Sequence, residues 1–407
     1  MASRKDDKGH ALWKGESKRK DGYYIYQYRD LAGRRRIVYA KDLPTLRRKE
    51  KEIVKNLDDG IDSYTGENTT LNRAFEQYMK ARTDLKESTY QYYLYMYDLI
   101  IREKLGRRKV NTIKYSEIRT FYLSLLESKR LNIGTLEHID AILHSIFKML
   151  IRDEIIRVNP TFDIMTELKK SGQWETGKRH ALTVNQQRIF IQYLQNDPGY
   201  SHWLPLFSFF LGTGCRSAEV FAICWSDIDF EKKEILIRRN LLYRKRPSGE
   251  YGFYITTPKT KKSRREIPMI GRIEQILREE YERQKRDGFC KAVVDGKTGF
   301  VFMNRNGGVF CSEIVNSAIK RIYKAYNKEE QIKAVKEQRE PELLPHFTCH
   351  HLRHTFCTRY CEVESNVKII QEIMGHSNIN VTMQIYTEVT GERKHASLER
   401  CQDNFMI

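Results

Sequence analysis

The chain has 407 residues, enough for two or three domains with cores of their own. Its 72 Lys and Arg outweigh 53 Asp and Glu, a formal charge of +19, so a polyanionic partner is expected: nucleic acid first, an anionic membrane surface second. No apolar run approaches the roughly 18 residues needed to span a bilayer, and the first twenty residues lack the apolar segment of a signal peptide, so an intracellular protein is expected.

Residues 1–65 read as a small, basic, β-rich module with one helix. Gly22–Arg29 and Arg35–Ala40 are rich in aromatic and β-branched residues, and Leu31-Ala32-Gly33 lies in the turn between them. Leu43–Leu57 has the spacing of an amphipathic helix. Through residue 50 there are 15 Lys and Arg against 7 Asp and Glu, and arginines and tyrosines on a small sheet suit a DNA groove. Asp58–Thr70 reads as a linker.

Residues 68–165 read as four helices. Leu71, Phe75, Tyr78 and Met79 share a face of the first. Ser88 and Gln91 have capping-box spacing before the second, which carries Tyr90, Tyr93, Leu94 and Tyr97. Ser116 is placed to cap a third, with Ile118, Phe121, Tyr122 and Leu125. A fourth runs over Thr135–Ile151, and Asn159-Pro160 closes the module. Arg82, Lys86, Lys104, Arg107, Arg108 and Lys109 are available for phosphates or for solvent. Residues 166–181, with Lys169, Lys170, Lys178 and Arg179, read as a linker running close to DNA.

A further domain, 182–390, opens at the capping box Thr183-x-x-Gln186. An apolar helix over Trp203–Leu211 leads into Gly212-Thr213-Gly214-Cys215-Arg216-Ser217-Ala218-Glu219, which places Arg216 at a helix N-terminus with Glu219 to orient it. Strands follow at Glu234–Arg239, Tyr251–Thr257 and Arg264–Pro268, with the Lys259, Lys261, Lys262 run turning between the last two. Residues 316–340 read as a charged helical insertion or loop. Next come His350 and Arg353, three apart on one helix face, then His376 just past a helix ended by Gly375, then Tyr386 in a short helix or extended loop. The eight cysteines all lie in the C-terminal half without a Cys-x-x-Cys, the pattern of reduced, buried thiols. The cluster Cys349, His350, His351, His354, Cys357 and Cys361 invites a zinc reading, but its spacing matches no closed tetrahedral site.

The ordered set Arg216 with Glu219, His350-x-x-Arg353, Gly375-His376 and Tyr386 resembles the signature of the tyrosine recombinases, the phage-integrase family. Cys349-His350-His351 stands where Pro-His-Asp is more usual. The resemblance implies a mixed α+β multidomain fold: a small β-rich N-terminal module, an all-α four-helix core-binding domain, and a mainly α catalytic domain with a small antiparallel sheet. It further implies catalytic roles for Arg216, Lys259, His350, Arg353, His376 and the nucleophile Tyr386, with Lys261 and Lys262 as alternatives to Lys259. Such enzymes break and rejoin DNA without metal, ATP or another cofactor. Two permanently charged arginines grip the phosphate bidentately in place of metal ions.

The basic module points toward integrases of conjugative transposons and temperate phages. Those bind double-stranded DNA at core and arm sites, act as homotetramers on synapsed DNA, and in some cases need an accessory excision factor. A bacterial, nucleoid-associated cytoplasmic location follows. Residues 391–407, with Leu398, Cys401 and the apolar end Phe405-Met406-Ile407, are expected to contact a neighbouring protomer. A type IB topoisomerase, or a non-catalytic DNA-binding regulator on the same scaffold, remains the alternative.

Overall fold

Tyrosines alternate through the first long strand, and the structure uses that alternation. The computed structural model describes residues 4–128, 131–174, 180–245, 250–257 and 264–392. Its chain divides into two units, Met1–Gly177 and Lys178–Ile407.

The first unit begins with a three-stranded antiparallel sheet, β1 (Glu16–Lys18), β2 (Tyr24–Arg29) and β3 (Arg35–Ala40). Tyr24 and Tyr26 point inward and pack with Leu43, Leu46 and Ile53 of α1 (Leu43–Asp58), which Asp42 caps by accepting the Thr45 N–H at 2.8 Å. The other face pairs Ile25 with Tyr39, Gln27 with Ile37 and Arg29 with Arg35. Tyr39 and Ile37 are exposed there. β1 escaped the sequence reading because Glu-Ser-Lys carries no apolar residue; Glu16 is buried through its bonds to the Trp13 N–H and Arg47.

The helices that follow are α2 (Ser63–Asn68), α3 (Leu71–Ala81), α4 (Glu87–Met96), α5 (Tyr115–Glu127), α6 (Ile133–Arg152) and α7 (Ile164–Lys170). Their core is carried by Phe75 stacked on Tyr97 and by Leu136, Ile139, Ile142, Leu143 and Ile146 at helical spacing along α6. Four details correct the sequence reading. The expected linker Asp58–Thr70 contains α2, capped by Asp62, and Gly66 there serves close packing, since a Cβ would lie 3.1 Å from the Ile155 carbonyl. The linker 166–181 likewise begins inside α7, whose Ile164 and Leu168 join the helical core. Ser88 and Gln91 form no capping box: α4 starts at Glu87, and Gln91 donates to the Glu87 carboxylate instead. Nor does Ser116 cap α5, whose N-cap is Lys114, with its N–H held by Glu117. Of the basic residues, Arg82, Arg107 and Arg108 are engaged with Asp84, Glu103 and Glu117.

The second unit contains α8 (Val184–Asn196), α9 (Leu204–Thr213), α10 (Ser217–Val220), β4 (Ile228–Asp229), β5 (Glu234–Ile237), β6 (Asn240–Lys245), β7 (Tyr251–Thr256), β8 (Arg265–Pro268), α11 (Gly271–Asp287), α12 (Ser312–Lys336), α13 (Cys349–Cys361), α14 (Val367–Met374) and α15 (Ile379–Glu392). Thr183 and Gln186 do form the expected box at α8. Phe190, Phe207, Phe209, Phe210 and Phe347 fill the core. The last two expected strands do not pair with each other. β8 joins β5, with Ile267 opposite Ile235 inside, and β7 pairs with the unexpected β6. Residues 316–340 are no insertion either: α12 lays Val315, Ala318, Ile319 and Ile322 into the core. The mixed α+β class holds. The lysine run at 258–263 and residues 393–407 lie outside the described residues. Among the described residues, no helix is long and apolar enough to cross a membrane.

Candidate active site

The site is built on the C-terminal end of α14. The last carbonyls of a helix have no partner within it and carry its negative dipole end. Here three consecutive carbonyls each accept from a different arginine. Ile373 accepts from Arg265 Nε, Met374 from Arg353 Nη2 and Gly375 from Arg216 Nη2, all at 2.7 Å. Gly375 ends the helix in the left-handed region, at φ 63°.

Arg216 is the N-cap of α10. Glu219 accepts its backbone N–H at 2.9 Å and its Nη1 at 2.8 Å, so a buried carboxylate fixes both the turn and the guanidinium. Burial pushes the Glu219 carboxyl up, but Arg265 and then Arg216 outweigh it and hold the group below the usual carboxylate range. Arg353, on α13, is 3% exposed, and its Nη1 donates to the Gly214 carbonyl at 2.6 Å. Gly214 is also left-handed, and a Cβ there would stand 2.3 Å from the Phe356 ring. Burial, followed by the charge of Arg216, lowers Arg353 to about 10. The group stays protonated at neutral pH, and the cost of crowding two cations is what an anion between them would relieve.

His376 follows directly. Its N–H donates to the Gln371 carbonyl, and Gln371 Nε2 returns a bond to the His376 carbonyl at 2.9 Å. Its ring Nδ1 lies 2.8 Å from Thr382 Oγ1 on α15. Burial first, then Arg353, Arg216, Arg265 and His350, lower it to about 3, so the imidazole is neutral at physiological pH.

This depression makes stability pH-dependent. As pH falls through 6.5 the unfolded chain protonates His376 while the folded chain does not until about 3. The contribution is therefore complete above pH 6.5 and is lost progressively below it. Urea unfolding at a series of pH values is expected to show a shallower acid-side decline for His376→Asn than for the unaltered chain. Equal slopes would contradict the depression.

Tyr386 lies on α15, one helical turn beyond Thr382 and so on the same face. It is part-buried against the cluster of Cys357, Cys361, Ile370, Met374 and Ile385. His350 is exposed in the first turn of α13. Arg216, Arg353 and His376 thus meet at one helix end, and α15 ties Tyr386 to it through Thr382. Lys259 lies outside the described residues. The sequence reading missed Arg265, Gln371 and Thr382. Arg265 had a signal: in a strand whose inward residue is Ile267, position 265 points the same way. Among the described residues, no group of three or more His, Cys, Asp or Glu is arranged to hold a metal ion.

The phage integrase family profile matches residues 180–393, more than half of the chain. The chain belongs to the phage integrase family. The profile for the DNA binding domain of Tn916 integrase matches residues 1–57 of this recombinase, and that for the N-terminal SAM-like domain of phage integrases matches residues 70–126. The transposase from transposon Tn916 of Enterococcus faecalis is 32% identical over 410 residues, covering 98% of the recombinase and 96% of the relative. The transposase from transposon Tn1545 of Streptococcus pneumoniae is equally similar. A structure of the Tn1549 transposon integrase in complex with transposon right end DNA matches with a TM-score of 0.71 at 28% identity, covering 82% of the recombinase and 99% of that chain. A lambda integrase dimer on a core site shares the fold, with a TM-score of 0.54 at 17% identity, over 78% of the recombinase and 95% of its own chain.

Proposed function

We propose that Arg216 and Arg353 bind the non-bridging oxygens of a scissile DNA phosphate and that Tyr386 attacks it. This tyrosine recombinase integrates and excises a mobile element by site-specific DNA breakage and rejoining. The observation that carries the residue assignment is the crowding of Arg216 and Arg353 at the end of α14, with His376 beside them. Fixed cations aimed at developing charge lower the barrier without reorganising. The neutral His376 has one ring N–H; in the tautomer whose Nδ1 accepts from the Thr382 hydroxyl, Nε2 carries that proton and donates to the phosphate.

His350 takes the phenolic proton, and Lys259, with Lys261 or Lys262 as alternatives, protonates the leaving 5′-oxygen. The products are a 3′-phosphotyrosine and a 5′-hydroxyl, and attack by a 5′-hydroxyl from another duplex reverses the step. Incubation with a nicked core-site duplex, whose cut fragment diffuses away, is expected to trap a covalent complex. Mapping the attached peptide to any residue but Tyr386 would overturn the assignment.

On this reading residues 182–390 are catalytic, 68–165 grip the core site, and 1–65 bind a separate arm site through the outer face of the β1–β3 sheet. Four protomers act on two synapsed duplexes in the bacterial nucleoid, with residues 391–407 reaching a neighbour, and an accessory factor directs excision. The sheet face carrying Arg29, Arg35, Gln27 and Tyr39 supports the arm role. Deleting residues 1–57, which stops short of α2 and its Asp62 cap, is expected to leave core-site cleavage intact while abolishing arm-site binding. In the intact chain, arm-site affinity should fall steeply with salt as counterions are released. Arm-site binding that survives the deletion would assign that contact to another region.

A further inference from the structure

Three guanidinium groups meet at the end of α14, and they differ in how many donors remain for a substrate. Among the described residues, Arg216 donates from Nη1 to Glu219 and from Nη2 to Gly375, and Arg353 from Nη1 to Gly214 and from Nη2 to Met374. Each leaves three of the five guanidinium N–H groups for a phosphate. Arg265 is committed differently. Its Nε holds Ile373, Nη1 and Nη2 grip the two Glu219 oxygens at 3.2 and 3.0 Å, and Nη2 also reaches Cys215 Sγ at 3.8 Å. Its side chain is 6% exposed.

We propose that Arg265 is a positioning residue for strand cleavage, which sets the aim of Arg216 through Glu219 and locks the end of α14 through Ile373. The inference rests on the assignment of Arg216 and Arg353 to the phosphate. Glu219 is the shared part: its Oε1 accepts from both Arg216 Nη1 and Arg265 Nη1. Without Arg265, Glu219 keeps among the described residues only its bonds to Arg216 itself, and Arg216 can follow it out of register. Gly375 is matched to the same contact, since a Cβ there would stand 2.9 Å from Arg265 Nη1. Strand β8 supplies the rigid support, with Arg265 inward beside the buried Ile267. A lysine at this position keeps the charge but cannot hold Glu219 and the Ile373 carbonyl at once.

The test is a double-mutant cycle in single-turnover cleavage of a nicked core-site duplex, using full-length Arg265→Lys, Arg216→Lys and the double variant. Arg265→Lys is expected to cleave about 100-fold more slowly, the effect of a small misplacement of a reacting group. Core-site affinity should stay within about twofold, because other phosphate contacts persist. The double variant should lose clearly less than the product of the two single losses, since both changes act on the Arg216 guanidinium through Glu219. A purely structural role would instead multiply the two losses, and that result overturns the inference. Near-normal cleavage by Arg265→Lys beside an impaired Arg216→Lys also overturns it, while leaving the phosphate assignment standing. Normal cleavage by Arg216→Lys removes the assignment and the inference together. Thermal melting comes first. Should Arg265→Lys fail to fold, Glu219→Gln takes its place in the cycle with the same expectation.

Discussion

Tyr386→Phe is expected to bind a core site as well as the unaltered recombinase and to form no covalent adduct at all. The substitution removes one oxygen. The ring keeps its place against Cys357, Cys361, Met374 and Ile385, and the α15 anchor through Thr382 and His376 is untouched. Positioning and charge stabilisation therefore survive, and only the oxygen proposed to attack the phosphate is lost. A denaturing gel of the nicked-duplex reaction reads this directly, because a phosphotyrosine survives denaturation and a bound complex does not. Another tyrosine, Tyr360 on α13, packs into the same cluster. An adduct that persists in Tyr386→Phe but vanishes in Tyr360→Phe would move the nucleophile to α13.

How much of this site was legible in the sequence depends on how local its signals are. Arg216 and Glu219 lie three residues apart, and so do His350 and Arg353, so helical spacing alone pairs them. Gly375 announces the end of α14 because few other residues tolerate its backbone conformation. What joins these pieces is not local. The bonds from Arg216 to Gly375 and from Arg353 to Gly214 span 159 and 139 residues, and no periodicity encodes them. Arg265 is hidden for the same reason: next to a lysine run it reads as one more surface cation, until β5 pairing turns it inward.

The strand errors have a related origin. Tyr251–Thr256 and Arg265–Pro268 are neighbours in sequence, which favours a hairpin. The better cross-strand partners were elsewhere, Leu241 opposite Ile255 and Ile235 opposite Ile267. Residues 316–340 read as an insertion because the lysines and glutamates of α12 dominate its composition. Its apolar stripe is narrow but continuous, and burial follows the stripe.

Arg353→Lys and Arg216→Lys should have equal effects on chemistry and unequal effects on stability. Both replace a planar fork with a point charge, so single-turnover cleavage is expected to fall roughly 100-fold or more in each. The difference lies in what each fork does in the free recombinase. The Arg353 fork satisfies two carbonyls, Gly214 and Met374, at the junction of α9, α13 and α14, where the group is almost fully buried. One ammonium cannot reach both, and a buried carbonyl left without a donor costs about 1–3 kcal/mol. At about 2–4 °C per kcal/mol for a domain of this size, Arg353→Lys should melt several degrees lower. Arg216 has a side chain 38% exposed, so water can replace its bond to Gly375, and Arg216→Lys should melt close to the unaltered chain. Calorimetry and cleavage on the same preparations separate the two roles. If Arg353→Lys loses stability yet cleaves at a normal rate, Arg353 is a structural clamp only, and the paired-arginine phosphate site is wrong.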